Sequence, residues 1–431
     1  MKNTKADPVI ITGARVIDPA SGRDEILDVR LENGRIHELG ASLSKDGVEN
    51  IDASGLILAP GLLDVLVKTG EPGAEARETL RSAGKAAAAG GVTTLVVSPQ
   101  TDPVIDDPAM VDFIKRRGRK RAAVHILPAG GLTRGLKGEL LAEIGLMKEA
   151  GAVLFTNGDS PIGNAAIMRN ALTYAGGMDA LISNRPIEPR LSANGVMNAG
   201  DFASRLGLGG IPAVAERIMV ERDIALAEAS GTRVLIDQLS TGAALDVVRR
   251  AKARGVKVYC TVSIHHLTLN ELDVGDYRTF ARLSPPLRKE SDRLAMVAGI
   301  ADGTIDAVVS GHDPRPAEEK RLPFAESSPG AVGLETLLSG ALSLVHNDEV
   351  SLRDMLFALS AGPASMLGLH CGKIEPGAAA DLVLFDRDKP WVCDANKLRS
   401  KSKNTPYDGR RMQGRVVMTF VDGVCVFNRS R

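Results

Sequence analysis

Ala59–Gly73 reads APGLLDVLVKTGEPG, and its Leu62–Val67 run is apolar apart from Asp64. An alanine-rich stretch with helical spacing follows at Ala76–Ala89, then Gly90-Gly91, then a second apolar run at Thr93–Val97. That is a strand, a helix and a strand, the unit from which parallel sheets are built. The alternation continues along the chain through Ala123–Leu127, Ala152–Phe155, Ala180–Ser183, Arg233–Ile236, Val256–Thr261 and Ala307–Ser310. Ala213–Ala229 and Ala244–Ala253 are two of the helical spacers. Eight β-like runs with helices between them predict an α/β fold, a (β/α)8 TIM-like barrel. The competing open doubly wound sheet lacks support, because no GxGxxG follows a first strand and Gly90-Gly91 lies at the wrong end of its helix to hold phosphate.

The flanks have a different period. Val9–Arg15, Ile26–Glu32 and Arg35–Glu38 are strand-like, with turns at Pro19–Gly22 and at Asn33-Gly34, a strong hairpin signal. Ala380–Phe385, Gln413–Phe420 and Val424–Phe427, with a turn at Asp422-Gly423, form the matching set. The ends are expected to pair into a small composite β domain, 1–58 with 372–431, around a barrel at 59–371. Arg387–Gly414 is polar and charged and reads as a surface wrap.

Composition narrows the function classes. The 431 residues carry 53 Lys+Arg and 53 Asp+Glu, so no basic surface is available for nucleic acid or an anionic membrane. No apolar run approaches the roughly 18 residues needed to span a bilayer, and the first residues lack the apolar stretch of a signal peptide. Cys260, Cys371, Cys393 and Cys425 are scattered, as in a reducing compartment. A cytoplasmic protein is expected. With aromatic content at only 3%, its core must rest on Ala, Val, Leu and Ile.

Several motifs follow one another along the chain: Ala59–Gly73, Glu78-Thr79, Lys85–Gly91, Asn194–Gly200 (NGVMNAG), Val262–Leu267 (VSIHHL), Leu283–Arg288 (LSPPLR), Asp302–Asp306 (DGTID), Glu319-Lys320, Gly333–Thr336 (GLET) and Pro376–Leu384 (PGAAADLVL). Together they resemble dihydroorotase of the amidohydrolase superfamily over nearly the whole chain. The resemblance implies hydrolytic opening and closing of dihydroorotate in pyrimidine synthesis, on divalent metal held by histidines and carboxylates.

The ligand positions are nevertheless substituted. The His-x-His after the first strand falls on Leu66 and Lys68, and the arginine that would hold the substrate carboxylate falls on Gly70. The acidic position after strand four falls on Asn157 or Gly158, the histidines after strands five and six on Asn184 and Gln238, and the general-base aspartate on Gly311. The substrate-binding asparagines appear as Gln100 and Ser284. Leucine and glycine offer no side-chain donor, the Lys68 ammonium opposes a divalent cation, and amides are poor zinc ligands. Metal lowers the pKa of bound water from about 15.7 to about 7, and without it the usual nucleophile is missing at neutral pH. No catalytic residue, metal or cofactor is therefore expected.

The polar residues left at the predicted mouth are Lys68, Asp159, Asp237, His266, His312, Asp313 and Arg315, with His265 beside them. Lys68 is expected to pair with Asp313 or Asp159, and Arg315 with Glu318 or Glu319. The alternative is an active dihydroorotase or other cyclic-amide hydrolase with a rebuilt zinc site drawn from His266, His312, Asp313 and Asp237. A ligand-sensing barrel that holds an anionic pyrimidine precursor through Lys68 and Arg315 is a third reading. The resemblance, with the lost ligands, implies a catalytically silent protein that serves as a structural partner of aspartate transcarbamoylase, in a homo-oligomer or mixed complex.

Overall fold

A computed structural model describes residues 7–430. Eight parallel strands form the barrel: Leu62–Val67, Val92–Val97, His125–Pro128 continued by Gly130–Gly131, Phe155–Thr156, Ile182–Asn184, Val234–Ile236, Val258–Ser263 and Ala307–Val309. The ring closes where the Lys68 N–H donates to the His312 carbonyl at 3.1 Å and the Ser310 N–H to Asp64 Oδ1 at 2.9 Å. Each predicted run holds its strand, displaced by two or three residues at some ends. The interior is filled by Leu63, Val65, Val96, Leu154, Leu181, Leu235 and Val309, so the barrel is a packed core with its chemistry confined to the strand ends.

Helices with small buried faces make this close packing possible. Leu80–Ala89 is capped by Thr79, whose side chain accepts from the Ser82 N–H, and it buries Ala83, Ala86, Ala87, Ala88 and Ala89. Its C-cap, Gly90, has no room for a side chain, because a Cβ there would lie 2.0 Å from the Leu334 carbonyl oxygen.

The chain ends form one eight-stranded sheet. Leu382–Phe385 pairs antiparallel with Ile57–Pro60, which also pairs with Val9–Asp18. Asn33-Gly34 and Asp422-Gly423 take positive φ at both turn residues, as two-residue hairpins require. No helix among the described residues is long and apolar enough to cross a membrane.

Part of Arg387–Gly414 departs from the expected surface wrap. Ser400, Ser402, Asn404, Thr405 and Tyr407 are buried over the barrel mouth. Their polarity reads as exposure in the sequence, but here the polar atoms find protein partners. Asn404 Nδ2 donates to the carbonyls of Asp313 (3.1 Å) and Gly330 (3.0 Å), while its Oδ1 accepts from the Arg315 N–H at 3.1 Å. Leu398 and Tyr407 join Leu283, Phe324 and Val332 in a separate apolar cluster that covers the mouth.

Candidate functional site

The carboxyl ends of the strands keep an unusual backbone. Leu66, Gly158, Gln238 and Gly311 all lie in the left-handed region, with φ of 62°, 62°, 52° and 61°. For Leu66 and Gln238 this conformation costs on the order of 1–3 kcal/mol each and persists only where the surroundings impose it. All four are positions where the resemblance puts metal chemistry. The turns are present; the side chains that would use them are not.

Ion pairs occupy the mouth instead. Lys68 Nζ donates to Asp159 Oδ2 and, at 2.7 Å, to Asp313 Oδ2. Arg185 lies 3.0 Å from Asp237 Oδ2 and 3.3 Å from Asp159 Oδ1, and it donates to the Ser284 carbonyl at 2.7 Å. Arg315 reaches Asp313 at 2.9 Å and Glu319 at 3.6 Å; the partner expected at Glu318 is not used. Three cations thus face three aspartates. Burial opposes ionisation of Asp159, but Lys68 and Arg185 hold its carboxyl well below the usual carboxylate range. The free volume among Lys68, Arg185, Gln238, His266 and Asp313 is about 20 Å³, room for about one water.

The amides are committed elsewhere. Asn157 Oδ1 accepts from the Thr133 N–H at 3.0 Å. Asn184 Oδ1 accepts from the Ile162 N–H at 3.0 Å, and its Nδ2 donates to Asp223 at 2.7 Å. Gln100 Oε1 accepts from the Asp159 N–H at 3.1 Å and fills the space beside Gly158, where a Cβ would meet it at 2.2 Å. Gly70 is closed in more firmly, because a Cβ there would lie 2.5 Å from the Ala74 carbonyl oxygen.

The histidines are also enclosed. Burial, then the neighbouring His266, pushes His265 down to about 3, and burial, then Arg288, pushes His266 down to about 4. Both rings are neutral near pH 7. His266 Nδ1 pairs with Ser263 Oγ at 2.9 Å and its Nε2 faces the Pro285 carbonyl at 3.1 Å. His265 stacks on Tyr407 at 5.5 Å, and His312 Nε2 faces Glu78 at 3.6 Å.

This donor set does not fit a divalent ion. Asp159, Asp237 and Asp313 are bound to cations, while His266 and His312 turn to separate partners. His266, His312 and Asp313 border one small pocket, but among the described residues no three donors of the rebuilt set, Asp237 included, come within ligand distance of one another. Among the described residues, three metal-type donors do converge at His125, Asp381 and Asp422, but His125 begins the third strand and belongs to the barrel's other end.

Arg185, Glu78, Asn404 and Tyr407 are mouth residues that the sequence does not single out as site members. Arg185 stands next to Asn184 and Glu78 lies within a quoted motif, so proximity was the available signal. For Asn404 and Tyr407 no local signal exists.

Asp64, at the centre of the first strand, is fully enclosed. Burial pushes its carboxyl from near 3.8 up to about 6, and Oδ2 has no partner among the described residues. The unfolded chain ionises first as pH rises, so the stability present below about pH 4 is lost through pH 6. The loss amounts to about 3 kcal/mol at about 1.4 kcal/mol per unit. Asp64→Asn is expected to flatten that part of a stability–pH curve measured by urea unfolding. An unchanged slope in the variant would remove Asp64 as its source.

The chain matches the Dihydro-orotase-like family over residues 55–243 and the Amidohydrolase family over residues 196–426. It is 42% identical to a dihydroorotase from Pelobacter propionicus, across 98% of this chain and 100% of the relative. A dihydroorotase from Citrifermentans bemidjiense is 43% identical, across 97% and 99%. Among solved structures, the L-hydantoinase (dihydropyrimidinase) of Arthrobacter aurescens superposes with a TM-score of 0.89 at 23% identity, covering 98% of this chain and 96% of that one. The dihydropyrimidinase of Brevibacillus agri gives 0.86 at 20%, with the same coverage. At such identities these two establish the fold alone.

Proposed function

Because this chain belongs to the dihydroorotase family of amidohydrolases, we propose that it is a dihydroorotase-like protein of pyrimidine biosynthesis that has lost hydrolysis and acts as a cytoplasmic structural partner of aspartate transcarbamoylase. The observation that carries this reading is the charge-balanced group of Lys68, Arg185 and Arg315 with Asp159, Asp237 and Asp313, packed around a space of about 20 Å³. The space among these side chains is smaller than a dihydroorotate molecule. The carboxylates that would hold cations already hold ammonium and guanidinium groups. Gly311 offers no general base, and the Gly70 backbone leaves no space for a substrate-clamping arginine. The enclosing shape of the family is retained in full, which is what a scaffold requires.

Metal analysis and a dihydroorotate assay on the purified chain test the loss of hydrolysis. Zinc well below one per chain and turnover at the uncatalysed rate are expected. One zinc per chain, with turnover abolished by His266→Ala or His312→Ala, would instead establish the rebuilt enzyme. Sedimentation with aspartate transcarbamoylase tests the partnership: a large mixed complex is expected, and a chain that sediments alone beside the transcarbamoylase defeats that half of the proposal.

A further inference from the structure

Away from the mouth, a cavity of about 240 Å³ lies between the composite sheet and the barrel's outer helices. Arg399, Arg415 and Arg429 line it, with Trp391, Glu335 and Lys397. The guanidiniums are held by ring faces: Arg415 lies 4.5 Å above Trp391, while Arg399 and Arg429 lie 5.0 and 4.9 Å from the Phe427 ring. Trp391 is fixed in turn, since its Nε1 donates to Ser339 Oγ at 3.2 Å and to the Gly414 carbonyl at 3.1 Å. Arg429 Nε donates to the Val416 carbonyl at 2.6 Å.

The charges do not balance. Among the described residues, none of the three arginines makes an ion pair with a carboxylate, unlike Arg185 and Arg315 at the barrel mouth. Arg415 Nε is buried without a hydrogen-bond partner. Glu335 is occupied by the backbone N–H groups of Arg399 and Ser400, and the exposed Lys397 at the rim is offset by Asp394 at 3.5 Å. Setting Glu335 against the three guanidiniums leaves an excess of two positive charges.

We propose that this cavity is a binding site for a phosphate-bearing dianion, a phosphate monoester or pyrophosphate group held by Arg399, Arg415 and Arg429. A phosphate monoester carries about −1.5 to −2 charges near pH 7, which matches that excess; a single carboxylate does not. Guanidinium forks suit phosphate oxygens in paired hydrogen bonds. At about 30 Å³ per water the volume accepts a phosphate with a small organic group. This site owes nothing to the chemistry of the barrel mouth and stands whether or not the chain hydrolyses dihydroorotate.

Calorimetric titration of the full chain at low ionic strength tests it, with pyrophosphate, glycerol phosphate and a nucleoside monophosphate as probes and sodium chloride of matched ionic strength as control. Saturable binding of at least one probe is expected, weakened about tenfold or more in Arg415→Gln and in Arg399→Gln. Glycerol phosphate and the monophosphate separate a requirement for the phosphate alone from one for the organic group. Should one variant misfold, as far-ultraviolet circular dichroism would reveal, the other carries the comparison. Absence of saturation at about 10 mM with every probe, or equal affinity in both variants and the parent, overturns the proposal.

Discussion

Lys68→Met is expected to lower folding stability by about 3 kcal/mol, because it strands Asp159 and Asp313 without their shared cation. The two carboxylates are largely enclosed, with 28% and 15% of their side-chain surface exposed, so water replaces the ammonium only in part. The same principle forecasts a partial rescue. Removing both members of a buried pair costs less than removing one, so Lys68→Met with Asp159→Asn should be more stable than Lys68→Met alone. Urea unfolding of the parent, both single variants and the double variant closes the cycle. Additive losses would mean that Lys68 and Asp159 do not stabilise one another, and the account of the mouth would fail. Arg185 and Arg315 remain beside the aspartates in every variant, which is why the expected loss sits at the lower end of the range for a buried pair.

Gly70→Arg, which places arginine where the resemblance to dihydroorotase puts a substrate-clamping residue, is expected to be more damaging, at about 4 kcal/mol or outright failure to fold. Gly70 has φ +70°, and a Cβ there meets the Ala74 carbonyl oxygen at 2.5 Å and the Glu78 carbonyl oxygen at 3.2 Å. The Ala74 N–H donates to the Gly70 carbonyl at 2.6 Å, so the obstructing backbone is tied to the residue being changed. Left-handed backbone alone costs a residue with a Cβ about 1–2 kcal/mol, and displacing a carbonyl adds to it. Gly70→Ala should show most of the loss and keep the test readable if the arginine variant does not fold. Gly158→Asp should be milder despite its 2.2 Å contact, because the obstacle is the end of the Gln100 side chain, which can rotate away. Thermal melts of the three variants give the order. A Gly70→Arg protein as stable as the parent would show that the loop is free to reopen, and the case for permanent loss of substrate binding would fall.

These two expectations share a cause. Neighbouring groups fill the positions where the resemblance puts metal and substrate chemistry. Gln100 beside Gly158, the Ala74 carbonyl beside Gly70, and the Asn184 carboxamide turned to Asp223 each make reversal costly. Restoring one histidine at Leu66 or Lys68 would leave these obstructions in place.

The sequence by itself determined the alternation of strand and helix, the hairpins at Asn33-Gly34 and Asp422-Gly423, and the absence of donors at Leu66, Gly70 and Gly311. Each is a local property: periodicity, a turn that needs positive φ, a side chain that lacks the atom. The tertiary structure alone decided where the remaining polar groups went. Lys68, Asp159 and Asp313 are far apart in the chain, and their meeting depends on barrel closure. Lys68 bridges both aspartates between which the sequence leaves it a choice. Arg315 meets Glu319, one of the two glutamates its sequence neighbourhood offers, at 3.6 Å and lies closer still to Asp313, at 2.9 Å. Ser400–Tyr407 gave no local sign of burial, because a polar segment becomes interior only when distant carbonyls and hydroxyls, such as those of Asp313, Gly330 and Thr268, are positioned to satisfy it. Hydrogen bonding and charge pairing across a closed ring are pairwise and long-range, and no window of the chain contains both partners.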